Sequence, residues 1–127
     1  LRMRDELLYQ SSDLNEKHVG WLAYLEWILH PPMESYSLSY RITYYKTDNF
    51  ENSIYAIERD LPHYYSMNAY YNQGSSSYLL FQYQFSKQIS FAGKWTMDKK
   101  YFTSKYQQGN PYTGISNDWR IQLTIKF

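Results

Sequence analysis

Apolar and polar residues alternate along much of the chain. In residues 119–127, Trp119, Ile121, Leu123, Ile125 and Phe127 take every second position, and Arg120, Gln122, Thr124 and Lys126 fill the gaps. Successive side chains of an extended strand point to opposite faces, so this segment predicts a strand with one wholly apolar face. The same period recurs at 35–45, where Tyr36, Leu38, Tyr40, Ile42 and Tyr44 alternate with serines, Arg41 and Thr43. It recurs at 77–86 through Leu79, Phe81, Tyr83 and Phe85, and at 89–97 through Ile89, Phe91, Gly93, Trp95 and Met97. Residues 18–29 are apolar enough for a helix. However, Val19, Trp21, Ala23, Leu25, Trp27 and Leu29 keep one unbroken period-two face, which favours a strand. Residues 1–10 alternate less cleanly, with Asp5 interrupting the face of Leu1, Met3, Leu7 and Tyr9. The pattern predicts an all-β, antiparallel up-and-down chain with strands at 1–10, 18–29, 35–45, 77–86, 89–97 and 119–127.

The connections sharpen this picture. Pro31 and Pro32 enforce a turn at 30–34, because proline cannot continue a ladder. Residues 86–88 form a second tight turn, and 11–17 a polar loop. Two segments are long, 46–76 (with a short strand expected at 54–58) and 98–118. Strands of about nine residues or more with one apolar face suit a tilted crossing of a bilayer. Counted back from the last residue, every short connection but one, the 11–17 loop, falls on one side and both long segments on the other. That is the arrangement of bacterial outer-membrane barrels, whose turns are short on the periplasmic side. The expectation is a transmembrane β-barrel segment in the bacterial outer membrane, its C-terminus periplasmic and its long loops extracellular. Such barrels begin at about eight strands, so six cannot close alone. Missing upstream strands or other outer-membrane chains would complete the wall. The chain opens Leu-Arg-Met-Arg-Asp-Glu without initiator Met or signal peptide, so a fragment or mature C-terminal piece is expected.

Composition agrees with strands rather than helices. Aromatic residues make up 20% of the 127, with 16 Tyr, a content that strands and interfacial belts use and helical bundles do not. No run of 18 apolar residues exists, which excludes a transmembrane helix and leaves a barrel open. Net charge is +1 and cysteine is absent, so there is no disulfide framework and no thiolate metal site. No repeat or linker divides the chain, which reads as one domain.

If the apolar faces meet lipid, the opposite faces line the interior. They carry Arg2, Arg4, Arg41, Lys94, Arg120 and Lys126 against Glu6 and Glu26. A basic lumen favours anions, nucleic acid included; the plainer reading pairs these charges with acidic residues on the strands that complete the barrel. Trp21, Trp27, Tyr36, Trp95, Trp119 and Phe127 are candidates for an interfacial aromatic girdle. Tyr64, Tyr65, Tyr70 and Tyr71 form an outer-loop cluster, suited to stacking on sugars or bases or, more plainly, to packing over the barrel mouth. Chemistry is thinly represented. His63 stands near Asp60 and Ser66 without an elbow motif such as G-x-S-x-G, the histidines lack metal-binding spacing, and no glycine loop cradles phosphate. No catalytic residue, metal or cofactor is expected.

Three runs within 41–85 resemble a known family. They are Arg41-Ile-Thr-Tyr-Tyr-Lys-Thr-Asp-Asn-Phe-Glu-Asn, then Ser53-Ile-Tyr-Ala-Ile-Glu-Arg-Asp-Leu-Pro-His-Tyr-Tyr-Ser, then Ala69-Tyr-Tyr-Asn-Gln-Gly-Ser-Ser-Ser-Tyr-Leu. They are similar to the C-terminal region of large helix-hairpin-helix (ComEA-like) outer-membrane proteins. Ile54, Tyr55, Ala56, Glu58 and Asp60 match one element of that pattern, and Ala69, Tyr70, Tyr71 and Gly74 another. Asn68 stands where proline is usual, and Asn72-Gln73 replaces Gly-Lys. The resemblance implies a β-barrel here and a helix-hairpin-helix DNA-binding region elsewhere, so any contact with DNA would be made by parts not in this chain. The functional expectation is a non-enzymatic membrane wall or conduit, linked to DNA uptake or transport of a large substrate. Its alternatives are a structural subunit without pore activity and a soluble β-sandwich that binds glycans.

Overall fold

The computed structural model describes residues 2–12, 18–47, 53–102 and 112–127, with backbone alone for 2, 4–12, 18, 19, 102, 112 and 113. Among the described residues every regular element is a strand and every pairing is antiparallel. In chain order they are β1 (Arg2–Ser12), β2 (His18–Leu29), β3 (Tyr36–Lys46), β4 (Ile54–Glu58), β5 (Ser66–Tyr70), β6 (Gln73–Gln84), β7 (Ile89–Phe102) and β8 (Tyr112–Ile125). Six of them form one sheet in the order β1-β2-β3-β6-β7-β8, and β4 and β5 form a separate hairpin. The sheet is not closed: among the described residues β1 pairs only with β2, and β8 only with β7.

Register keeps like beside like. Met3, Trp27, Tyr40, Leu79, Trp95 and Trp119 are successive cross-strand partners, a nearly aromatic row. One residue along, Arg4, Glu26, Arg41, Tyr78, Thr96 and Asp118 form the neighbouring row on the other face. A slip of one residue would interchange the two faces, so alternation fixes the register.

The two faces are buried in an unusual sense. The apolar face is open: Trp119 and Ile121 are each 72% exposed and Leu123 61%. The face bearing the charges is covered, with Glu26 at 1%, Arg41 at 3% and Lys94 at 4%. The cover is the β4–β5 hairpin. Ile54, Ala56 and Tyr70 pack with Leu22, Tyr24 and Tyr45 of the sheet, and Leu61 in the hairpin turn packs with Tyr78, Leu80 and Ala92. Gly20 leaves room for this, since a Cβ there would stand 3.0 Å from Thr47 Cγ2 and 3.4 Å from Ile54 Cδ1.

Three expectations need correction. The 46–76 segment is not an excursion clear of the sheet. Its short strand at 54–58 is present, but it pairs with 66–70 and lies on the sheet's polar face, where its inward side chains meet both apolar and charged partners. Residues 73–76 belong to β6 rather than to a loop. Most of 98–118 is ladder too, because β7 and β8 stay paired as far as Phe102 and Tyr112. Asp98, Lys99 and Lys100 face Ser116, Ile115 and Gly114, so both sides of this ribbon are largely polar and period two disappears while the backbone pairing continues.

Candidate functional site

The chemistry-bearing residues gather where the hairpin meets the sheet. Glu26 on β2, Arg41 on β3 and Tyr78 on β6 are cross-strand neighbours on one face. Arg41 Nη2 donates to Glu26 Oε1 at 3.1 Å, and Tyr78 Oη donates to the same oxygen at 2.6 Å. The Arg41 guanidinium also lies 4.0 Å from the centre of the Tyr24 ring. Its Nη1 reaches out of the sheet and donates to the Ile57 carbonyl of β4 at 2.9 Å.

Lys94 on β7 makes the second attachment. Its Nζ donates to the Arg59 carbonyl at 2.8 Å, and lies 3.6 Å from Glu58 Oε2 and 3.8 Å from Asp60 Oδ2. The same ammonium stands 4.7 Å from the centre of the Tyr78 ring. Arg120 on β8 reaches Asp60 at 3.3 Å and Asp118 at 2.9 Å. From the hairpin side, Arg59 Nε lies 3.6 Å from Glu26, and the Arg59 backbone N–H donates to Tyr78 Oη at 3.4 Å. Cations of the sheet thus alternate with carboxylates of the sheet and hairpin. Arg59 and Arg120 are half exposed, but Glu26, Arg41, Glu58, Asp60 and Lys94 are buried, and removing one of these is costly because its partner keeps a charge that water no longer solvates.

Tyr70 completes the hairpin's inner face, its hydroxyl donating to Glu58. Burial, and next the charge of Glu58, hold the phenol's pKa well above the ordinary tyrosine value. It therefore keeps its proton and remains the donor. The neck of the 47–72 segment is tied as well: Thr47 N donates to the Asn72 carbonyl at 2.6 Å, and Asn72 N donates to Thr47 Oγ1 at 2.8 Å. Asn72 has φ 63°, a left-handed conformation that asparagine tolerates.

Beyond the hairpin turn the polar face stays partly hollow. One cavity of about 720 Å³ is lined by Ser39, Glu58, Asp60, Tyr64 and Gln82 among others. A second, of about 280 Å³, lies toward the 30–35 turn, lined by His30, Tyr83, Thr124 and Lys126 among others.

Of the residues singled out in the sequence, Arg41, Lys94 and Arg120 come together here. Lys126 stands apart and exposed, its backbone N–H bound to the Gln88 carbonyl at 2.8 Å. The side chains of Arg2, Arg4 and Glu6 lie outside the described residues. The acidic partners of Arg41 and Lys94 are Glu26, Glu58 and Asp60 of this chain, where the expectation placed them on strands completing a barrel. Glu58, Asp60 and Tyr78 were not anticipated as site residues, although 54, 56, 58 and 60 share the parity that marks one face of a strand. The expected aromatic cluster is divided. Tyr64 and Tyr65 are exposed at the hairpin turn, Tyr70 is buried, and Tyr71 is half-buried with Lys100 Nζ 4.6 Å from its ring centre. Trp27, Trp95 and Trp119 share one cross-strand row; Trp21 lies six residues along β2 from it, Tyr36 pairs with Tyr83, and Phe127 projects beyond β8. His63 is exposed with φ 68°, while the nearby Asp60 is engaged by Lys94 and Arg120.

Compared with known protein families, curated proteins and solved structures, the chain finds no match.

Proposed function

We propose that this chain is part of the wall of a bacterial outer-membrane β-barrel whose interior is plugged by its own hairpin. One observation carries the reading. A single sheet exposes its apolar face and buries its charged one, the inverse of what water selects. Exposed apolar surface costs roughly 25 cal/mol per Å² in water, and contiguous bands of it mark contact with lipid or protein. Hydrocarbon removes that cost, and the row Trp27, Tyr40, Trp95 and Trp119 supplies rings of the kind that settle at a membrane interface. The free edges of β1 and β8 then take up the remaining strands of the wall.

The role is non-enzymatic: a membrane-embedded wall, either around a conduit for a large substrate or as a scaffold within a larger complex. The hairpin on the polar face favours a closed resting state. A link to DNA rests on the residue resemblance at 41–85 alone, and would act through a region outside this chain. A soluble glycan-binding sandwich is disfavoured, since it would turn Leu123 and Ile121 inward and Arg41 and Lys94 outward.

Folding the chain into vesicles whose lipid tails carry bromine tests the reading. Quenching of tryptophan fluorescence, with loss of solubility when detergent is withdrawn, is expected. A chain that stays monomeric in plain buffer, its tryptophans unquenched by the vesicles, would overturn it.

A further inference from the structure

The hairpin is fastened to the sheet differently from the strands within it. Among the described residues β4 and β5 pair with each other and with no strand of the sheet, so no backbone ladder holds them to the wall. Their attachment consists of apolar contacts at either end and, between these, charged groups aimed across the gap. Lys94 grips the Arg59 carbonyl, Glu58 and Asp60, Arg41 grips the Ile57 carbonyl, and Arg120 grips Asp60. The hairpin's other face, with Tyr55, Ile57 and Met67, is exposed. At its base, the two hydrogen bonds between Thr47 and Asn72 close the segment into a loop whose ends leave β3 and enter β6 side by side. The paired ladder resumes at once, at Lys46 opposite Gln73. The sheet's register therefore does not depend on where the hairpin lies.

We propose that β4–β5 is a charge-latched plug, which leaves the polar face of the sheet as one intact hairpin, hinged at the 47–72 neck, when the Lys94 latch is undone. Lys94, Glu58 and Asp60 are buried, so salt screens them little, whereas Arg120 is half exposed and adds less; removal of the carboxylates leaves the Lys94 ammonium without a counter-charge. Expulsion of the hairpin returns that ammonium to water. The free-standing hairpin keeps its own five-residue ladder, from Ile54 opposite Tyr70 to Glu58 opposite Ser66. The wall keeps its six-stranded sheet. The notion of a plug rests on the membrane reading above; the latch itself does not.

Hydrogen exchange on the full chain folded in detergent micelles separates the two. In the double variant Glu58→Gln/Asp60→Asn, the amides of 54–58 and 66–70 are expected to exchange at least tenfold faster, while those of β3, β6 and β7 stay as protected as in the parent. Charge-retaining Lys94→Arg should keep most of the protection. Hairpin protection unchanged in the double variant would overturn the latch. So would hairpin and wall losing protection together, since the hairpin would then be no separate unit; the milder Asp60→Asn distinguishes that outcome from general misfolding by whether the wall alone survives. Ion flux through outer-membrane vesicles from cells carrying the double variant, in which the wall is complete, reads the other premise. Hairpin release without any flux leaves the latch standing and removes the conduit.

Discussion

At the scale of single residues, the molecule is decided by a few polar groups held out of water. Tyr70 is the clearest. Its hydroxyl donates to Glu58, and burial together with that carboxylate raises its pKa. A phenol whose folded pKa lies above its unfolded value of about 10 contributes its full stability below that pH and loses it as the pH rises further. Above pH 10 the unfolded chain sheds the proton while the folded chain holds it, so unfolding is favoured. Tyr70→Phe should lower stability at neutral pH by about 1–3 kcal/mol, because one buried oxygen of Glu58 loses its donor. It should also flatten the alkaline fall. Equilibrium unfolding in urea at pH 8 and pH 11 measures both effects, and parallel curves for parent and variant would show that Tyr70 plays no such part.

At the scale of elements, the seam where β3, β6 and β7 meet explains both what the sequence reveals and what it conceals. The strands of the sheet are legible wherever one face is apolar, as in the run Leu79, Phe81 and Tyr83, because alternation is then visible in residue type. The start of β6 is not legible. Its run Gln73-Gly74-Ser75-Ser76 carries no hydrophobic signal, and the pairing is made by backbone and by Tyr45 lying over Gly74. β5 is hidden for a similar reason: its inward residues Asn68 and Tyr70 differ little in polarity from what surrounds them. The charged site was half legible. Arg41, Lys94 and Arg120 follow from strand parity, but no local pattern tells that a distant segment brings Glu58 and Asp60 to them. The Gly74 contact can be tested. A Cβ there would lie 2.5 Å from both the Lys99 carbonyl oxygen and Tyr45 Oη. The tyrosine can move, but the carbonyl belongs to the neighbouring ladder. Gly74→Ala should therefore destabilise the sheet by about 1–3 kcal/mol, as overpacking does, and Tyr45→Phe should not rescue it. Thermal unfolding of the single and double variants gives the comparison.

At the scale of the whole molecule, the question is which solvent lies against each face, and one pair of substitutions answers it. Leu123 and Thr124 are adjacent on β8, so their side chains point to opposite sides of the same sheet. Leu123 is exposed on the apolar face, level with Phe91 and Tyr83, whereas Thr124 borders the polar cavity that Lys126 and His30 also line. If water covered the apolar face, Leu123→Arg would be an exposed surface change worth less than about 0.5 kcal/mol either way. Thr124→Arg, in the more enclosed position, would then be the worse of the two. Hydrocarbon reverses the order. An arginine on the lipid face near mid-membrane costs about 2–4 kcal/mol, while the interior face admits it at far less. Leu123 lies along β8 from the Trp119 row, on the same face and toward drier lipid. Folding into lipid vesicles, followed by urea titration, should show Leu123→Arg destabilised by that amount and Thr124→Arg nearly unchanged. The ranking settles the matter without reference to absolute stability, because both variants add the same side chain to the same strand and differ only in the side on which it emerges.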